Sequence, residues 1–584
     1  MAPPYSPVSV TGTIAKLYHN SRSLPEEAAT SGSSSAPGTF PDNVSRIDID
    51  LSSIQPLNVF PKDIIVSKGV QFPPSARHLQ IRFSDPLRTR LLVRPRIAFQ
   101  LRKSLNDLAF TEVETPILFK STPEGAREFL VPTRRPGYAY ALPQSPQQYK
   151  QMLMASGIRG YYQFARFTDF VQLDLEMGFA TGEDVMRTVE TIISDLTALL
   201  EADFTVVEQG GEVYLAPRQS LKATEQDYPA AGSPYATPPF PRMSYEDAMT
   251  RFGIDKPDLR IPFEINRLDG LLPQSFVSMI TDLDHPVVEG FRFRPSEAED
   301  DIRPVVAKFV DDLMKNLPPA LANNPDGAPV ALVVDSSKPL RGLAPLGFEG
   351  TTALESSNLS QFQDLEDGDV LVFQARQNKP FQGGSTALGT LRTLFYQTAV
   401  SKSLLPRDLT FRFLWVTDFP MFTPHDNDST DPGQGGSAGF SATHHPFTAP
   451  LTDADVELLA TDPLKARADH YDLVVNGVEL GGGSRRIHVA RMQEYVMREI
   501  LKMSDAGVAQ FAHLLEALRA GCPPHAGFAL GFDRLVAVLT YTDSVRDVIA
   551  FPKSMKGEDL TVKSPGRVEE GQLEVYHLAL REKK

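Results

Sequence analysis

The segment YDLVVNGVELGGGSRRIH, residues 471–488, constrains the fold more tightly than any other. Two strand-forming runs flank Asn476-Gly477, a dipeptide that turns one strand back on the next. The first strand carries Asp472 and the second Glu479. Across a hairpin these carboxylates can converge on a divalent ion held mainly by phosphates, as magnesium prefers. Gly481, Gly482 and Gly483 let backbone or ligand approach closely. In the strand that follows, Arg485 and Arg486 face opposite sides of the sheet, so one can point inward and grip a carboxylate with both arms.

A second fragment, GFALGFDRLVAVLT (527–540), runs a glycine-spaced strand into an apolar helix. Asp533 and Arg534 stand at the junction. An arginine there lies near the positive end of the helix and gains nothing from the helix dipole. It suits a polyphosphate ligand; a salt bridge to Asp533 or a nearby acid is the alternative. ALPQSPQQYKQMLM (141–154) leads a proline-bounded loop into a helix on which Gln147 and Lys150 share a face. That face suits a small anion, or simply solvent. STPEGAREF (121–129) sets one acid and one base in a tight turn, which by itself reads as a surface ion pair. ATHHPFTAP (442–450) puts His444 and His445 before a proline. Adjacent histidines in a loop rarely share a metal, so they read as donors to a substrate anion, or as a plain surface loop. The chain has neither GxxxxGK[ST] nor GxGxxG followed by an acid, which disfavours P-loop and Rossmann enzymes. Together the fragments imply a site for a carboxylate-bearing small molecule, a nucleotide and magnesium.

Composition sets the scale. The chain has 584 residues, a prior of about four domains. With 41% hydrophobic and 22% charged residues it can bury large cores. No run reaches the roughly 18 apolar residues of a membrane helix. One cysteine, Cys522, excludes an internal disulfide framework and any multi-cysteine zinc site. A net charge of -15 gives no sign of nucleic acid, although a local basic surface would suffice. The 48 prolines call for many loops and extended segments. MAPPYSPVSV has the pattern of neither a signal peptide nor an organellar presequence, so either no address exists or the true start lies upstream.

Along the chain, Val8, Val10 and Ile14 alternate as a half-buried strand, and Ile47, Ile49 and Leu51 as another, around a Ser/Pro/Gly-rich loop at 21–44. Two strands are too small a sheet to stand alone. They read as part of a β-barrel. A helix is expected from Pro95 through Leu108, an extended segment at FTEVETPIL (110–118), and turns with short strands over 121–180. An amphipathic helix is expected at 182–202 and loop at 207–245. A mixed α/β segment follows at 254–395, with a helix at 298–316 and strands at 330–335 and 369–375. FRFLWVTDFPMF (411–422) reads as one apolar strand, 491–502 as a helix and 526–532 as a strand.

These residues resemble one family closely, the bacterial-type aspartyl-tRNA synthetases of class II. FTEVETPIL resembles motif 1; STPEGARE, ALPQSPQQYKQMLM, HHPFTAP, NGVELGGGSRRIH, PPHAGFALGFDRL and FPKSMKGEDL resemble the family's signature stretches, from about residue 47 to 580. The resemblance implies an α+β fold: an antiparallel sheet flanked by helices, a partial N-terminal OB-fold and an inserted α/β domain. The implied boundaries are 1–75 for the anticodon-binding part, 90–250 and 405–560 for the catalytic domain, 254–395 for the insertion and 561–584 for a C-terminal extension. It implies activation of L-aspartate by ATP, with magnesium, and transfer to tRNA(Asp) by a homodimer. Glu124 would hold the substrate ammonium, with Gln147, Lys150, His444, His445 and Arg486 around aspartate. Asp472 and Glu479 would hold magnesium; Glu479, Gly531, Phe532, Asp533 and Arg534 would line the ATP site. Arg486, Arg534 and Glu479 would carry the catalysis, by positioning and charge neutralisation.

Two departures stand out. The family continues its motif 2 strand into a Phe-Arg-x-Glu element and a loop; here YYQFAR (161–166) runs straight into FTDFVQLDLEM (167–177). The first anticodon-reading strands are also missing. Sharp gaps with intact flanks point to a missing exon and a misplaced start in a nuclear gene, hence to a mitochondrial enzyme, with a bacterial-type cytoplasm as the alternative. A catalytically impaired, synthetase-like tRNA- or ATP-binding protein is the competing reading. A related asparaginyl or amidating enzyme is disfavoured, because Lys150 with Arg486 suits a charged carboxylate.

Overall fold

A computed structural model describes residues 4–19, 44–67, 69–120, 129–142, 145–167, 170–209, 212–218, 234–296, 301–424 and 436–580. Glu124 and the rest of STPEGARE lie outside them.

The chain opens with strands β1 (Val8–His19) and β2 (Val44–Pro56), paired only with each other. Helices α1 (Arg77–Phe83) and α2 (Asp85–Asp107) follow, then β3 (Thr111–Glu112), β4 (Phe129–Pro132) and β5 (Ala139–Leu142). Helix α3 (Gln147–Ala155) precedes β6 (Gly160–Arg166) and β7 (Val171–Gly178). Helix α4 (Gly182–Asp203) leads to β8 (Phe204–Gln209), β9 (Glu212–Pro217) and β10 (Arg242–Ser244). The intervening module carries β11 (Asn266–Arg267), β12 (Val287–Phe293), β13 (Val330–Val333) and β14 (Val370–Arg376). The remaining strands are β15 (Phe413–Thr417), β16 (Phe422–Pro424), β17 (Phe440–Ala442), β18 (His470–Val475), β19 (Val478–Arg485) and β20 (His525–Gly531).

Eight strands form the central sheet in the order β10-β15-β18-β19-β20-β7-β6-β3, antiparallel except for the β10–β15 and β3–β6 edge pairs. A separate antiparallel sheet, β11-β12-β14-β13, organises the inserted module. The fold is therefore α+β, a mainly antiparallel sheet flanked by helices. Val185, Val189, Ile192, Ile193 and Leu196 of α4 are buried together with Ile97, Leu101 and Leu105 of α2 in the core on one face of that sheet. Helix α4 starts where Thr181 and Asp184 satisfy each other's backbone N–H groups in a capping box.

Several expectations need correction. The helix at Pro95 begins ten residues earlier. Ser84 caps it and Pro86 sits in its first turn, so Pro95 lies inside on the exposed side. The 207–245 stretch contains the β8–β9 hairpin. The apolar strand 411–422 breaks after Thr417, where Asp418 takes a positive φ of 59°, and Phe422 starts a second strand. The insertion helix spans Arg303–Lys315, and helix 491–502 is a short α-helix ending in a π-turn at Val496–Ile500. The first strands are not half-buried: Val10, Ile14, Ile49, Leu51 and Ile54 are all exposed. Among the described residues no third strand joins this ribbon, so no described sheet covers these side chains. No described helix is long and apolar enough to cross a membrane.

Candidate active site

Strand alternation decides what reaches the cleft. In β7, Leu173 and Leu175 join the core under α4, so Asp174 and Glu176 face the opposite side, both fully buried. In β18, Tyr471 and Leu473 face the core, while His470 and Asp472 face the cleft. In β20, Phe528 and Leu530 face the core, leaving Gly527 and Ala529 as a low floor. A Cβ on Gly527 would lie 2.0 Å from Glu176 Oε2, so only glycine leaves room for that carboxylate.

Helix α3 brings Lys150 over this floor. Its Nζ lies 3.0 Å from Asp174 Oδ1 and 3.4 Å from Glu176 Oε2. Arg486, just beyond β19, donates from Nε to Glu176 Oε1 at 3.0 Å and from NH2 to Glu176 Oε2 at 3.4 Å. Its NH1 reaches Ser484 Oγ and His445 Nε2, each at 2.6 Å. Since His445 Nε2 accepts from a guanidinium, its proton sits on Nδ1, 3.2 Å from Thr448 Oγ1. Burial and then the Arg486 charge hold His445 well below the usual histidine range, so it is neutral. Burial also works against Glu176, but Arg486 and Lys150 outweigh it and keep its pKa low. For Asp174 burial wins over Lys150, and its pKa is raised. Asp174 Oδ2 and Gln147 Nε2 are buried with no hydrogen-bond partner. Two cations and two acids thus form one buried cluster, in which Asp174 keeps an unpaired acceptor, with the unpaired Gln147 amide on the same helix as Lys150.

The other end is built on the hairpin. Asn476 and Gly477 both have positive φ (52° and 82°), giving the two-residue turn that the Asn-Gly pair favours. A register shift between Leu473 and Val474 inserts one extra residue in β19 beside Glu479. Lys256, from the inserted module, reaches in: its Nζ is 3.5 Å from Glu479 Oε2 and 3.8 Å from Asp472 Oδ2, and it bonds Asp255. Burial opposes the Lys256 charge, yet Asp472 and Asp255 hold its pKa above the ordinary lysine value. Burial raises Asp472 and, with Asp472 beside it, Glu479. Arg534 is exposed, and its NH1 donates to the Glu479 carbonyl at 2.6 Å.

His444 and His445 do different things. The His444 ring stacks on His470 with centroids 3.3 Å apart, and His470 Nε2 is 2.8 Å from Asp472 Oδ1. These three residues offer ligand atoms within 4.8 Å of one another. Parallel stacked rings do not suit a shared ion, which would lie outside both ring planes. The loop holding both histidines is stitched to the strand end: Ala449 N donates to Arg485 O, Ile487 N to Phe447 O, and Gln493 Nε2 to Pro446 O.

The structure thus brings Gln147, Lys150, His445 and Arg486 to one end, and Asp472, Glu479 and Arg534 to the other. Gly531 caps the helix Phe532–Leu539. Phe532 and Asp533 are buried in the core: Phe532 lies against Phe164, and Asp533 pairs with Arg94 and accepts from Val171 N at 2.8 Å. Sequence reasoning missed Asp174, Glu176, Lys256 and His470. The first two had a signal, because acids at alternate positions in the apolar run QLDLEM share one strand face.

At the expected motif 2 position the two strands follow each other closely in sequence. Strands β6 and β7 pair through Arg166↔Val171, and Phe167 N donates to Phe170 O at 2.9 Å. Arg166 is exposed and lines a cavity of about 220 Å³ with Thr115, Gln163 and Phe167.

A model of the tRNA synthetases class II (D, K and N) matches residues 70–555. The mitochondrial aspartate–tRNA ligase of Schizosaccharomyces pombe is 36% identical over 99% of this chain and 85% of its own length. That of Homo sapiens is 32% identical over 91% and 77%. The aspartate–tRNA(Asp/Asn) ligase of Opitutus terrae is 36% identical over 86% and 77%.

Proposed function

The chain belongs to the class II tRNA synthetases of the D, K and N type, and from that premise we propose how the two ends of its site carry out aspartate–tRNA ligation. The enzyme joins L-aspartate to ATP, giving aspartyl-adenylate and pyrophosphate, then transfers aspartate to the 3′ end of tRNA(Asp). Its compartment is mitochondrial.

The observation that carries the residue assignment is the buried Lys150–Arg486 pair above Asp174 and Glu176. Lys150 and Arg486 take the side-chain carboxylate of aspartate. Glu176 fixes both cations and His445 steadies the Arg486 fork. The substrate ammonium suits the open oxygen of Asp174, and Glu124 joins it from outside the described residues. Gln147 offers the amide. This leaves the α-carboxylate facing the hairpin end, where its oxygen attacks the α-phosphorus and pyrophosphate leaves.

Asp472 and Glu479 suit a divalent ion: two carboxylates already face a single cationic centre, the Lys256 ammonium. Magnesium there would neutralise charge on the phosphates. Arg534 takes triphosphate oxygens, and Gly531 leaves the backbone open to the nucleotide. Phe532 and Asp533 act from beneath, Asp533 by tying Arg94 to the start of β7. Dimerisation is supported by exposed Ile117 and Leu118 after β3 and by exposed Phe129 and Leu130 on β4.

The short β6–β7 connection, only residues 167–170, favours a second reading, a chain impaired in the first step. Losing one preorganised donor to developing charge costs about 10²–10³ in rate. Aspartate-dependent ATP–pyrophosphate exchange, run on this chain and on one with a longer β6–β7 connection, separates the two. Exchange restored only by the longer connection supports the impaired reading. No exchange in either rejects the residue assignment.

A further inference from the structure

We propose that Lys256 is a tethered stand-in for the divalent ion: it holds Asp472 and Glu479 together while the nucleotide site is empty and withdraws when the metal enters. The inference rests on the reading of those two carboxylates as the ion's ligands.

Three observations carry it. First, the Lys256 ammonium bridges three carboxylates from two parts of the chain, Asp255 beside it and Asp472 and Glu479 across the hairpin. Its 3.5 and 3.8 Å separations from Glu479 and Asp472 are longer than a direct ammonium–carboxylate bond. It bonds Asp255 directly and lies within ion-pair reach of both hairpin carboxylates. Second, its backbone is braced. Asp255 N donates to Gly384 O at 3.0 Å, Pro257 follows it, and Asp258 is held by Arg260. A Cβ added to Gly477 at the hairpin turn would contact Asp258 at 3.4 Å, so the two turns touch. Third, only about a quarter of the Lys256 side chain is exposed, so this is no free surface lysine.

A divalent ion and an ammonium cannot both occupy the space between Asp472 and Glu479, because like charges a few ångströms apart repel strongly. Lysine has a flexible four-carbon stem and can swing aside. Lys256 is then a positioning residue. It keeps the carboxylates converged, and it links the inserted module to the state of the nucleotide site, since the same turn docks that module.

The test is Mn²⁺ binding to the full-length chain, followed by electron paramagnetic resonance of the free ion. Removing the competing ammonium in Lys256→Met should tighten Mn²⁺ binding by about tenfold or more. Lys256→Arg, which keeps a cation, should stay near the native value, and Glu479→Gln should lose binding. In parallel, amine acetylation of the native chain, read by mass spectrometry, should show Lys256 becoming several-fold more reactive when Mn²⁺ is added. Unchanged or weaker Mn²⁺ binding in Lys256→Met overturns the proposal. If that variant does not fold, Lys256 reactivity unchanged by Mn²⁺ overturns it instead. Native-like binding in Glu479→Gln would show that the ion sits elsewhere, and would overturn the underlying site reading as well.

Discussion

Arg486→Lys keeps the charge and removes the fork. A guanidinium has five N–H donors. Four are committed in the structure, two to Glu176, one to Ser484 and one to His445. One N–H on NH2 is left for the substrate carboxylate. A lysine ammonium cannot hold Glu176 and His445 and still present a donor along that line. The lost charge-assisted bond is worth about 1.5–3 kcal/mol, which is roughly 10- to 150-fold in aspartate affinity. Separately, His445 Nε2 becomes a buried acceptor without a donor, at a cost of about 1–3 kcal/mol in folding stability. Calorimetric titration with L-aspartate gives the first quantity and urea denaturation the second. ATP affinity should stay close to native, because Arg534 and Glu479 lie at the other end. Aspartate binding within threefold of native would refute the assignment of Arg486 to the carboxylate.

Other outcomes follow from the same geometry. His470 is buried and His444 and His445 are half-buried, and desolvation with neighbouring charges holds all three well below the usual histidine range; the unfolded chain binds their protons first, so each subtracts stability as pH falls through 6.5. Stability should therefore fall between pH 7.5 and 5.5. His470→Asn should remove one such share, read as a smaller difference between denaturation curves at the two pH values; an equal difference contradicts it. In Gly482→Ala the new Cβ would lie 2.5 Å from Asp472 Oδ1 and must displace that carboxylate. Mn²⁺ binding should weaken by about tenfold or more, with about 1–3 kcal/mol of stability lost to overpacking; native Mn²⁺ affinity would refute the metal role of Asp472. Pro95→Ala restores an N–H inside α2 and should raise stability by about 1–3 kcal/mol; a lower urea midpoint would mean that the bend at Pro95 is required by packing.

Much of this was readable from residues. The Asn476-Gly477 turn and the shared face of Gln147 and Lys150 are local consequences of turn chemistry and of the 3.6 period, and local rules reach them. What escaped depends on distant partners. Nothing near Lys256 says that a turn 200 residues upstream meets the hairpin. His470 gives no sign that His444 will stack on it. Asp533 reads as a cleft residue until Arg94 is seen beside it. Pro95 misleads because a proline marks a helix start more often than an interior, and the stronger start signal, Ser84-Asp85-Pro86, lies about three turns ahead of it. The N-terminal strands were found, but their exposure was not, since burial requires a partner sheet that the sequence pattern takes for granted.

The three glycines of β19 have a consequence in the language of codons. A Cβ at Gly481 would lie 2.2 Å from Ala529 O, at Gly482 2.5 Å from Asp472, and at Gly483 2.2 Å from Gly527 O. Every base change in a glycine triplet that alters the amino acid installs a side chain, and alanine carries the smallest one. At three successive codons, then, the whole set of single-base amino-acid replacements runs into backbone or into Asp472. Change in this strand has to begin in its neighbours, with β20 or Asp472 giving way first, so a lineage that altered the triplet would carry the earlier substitution as its signature.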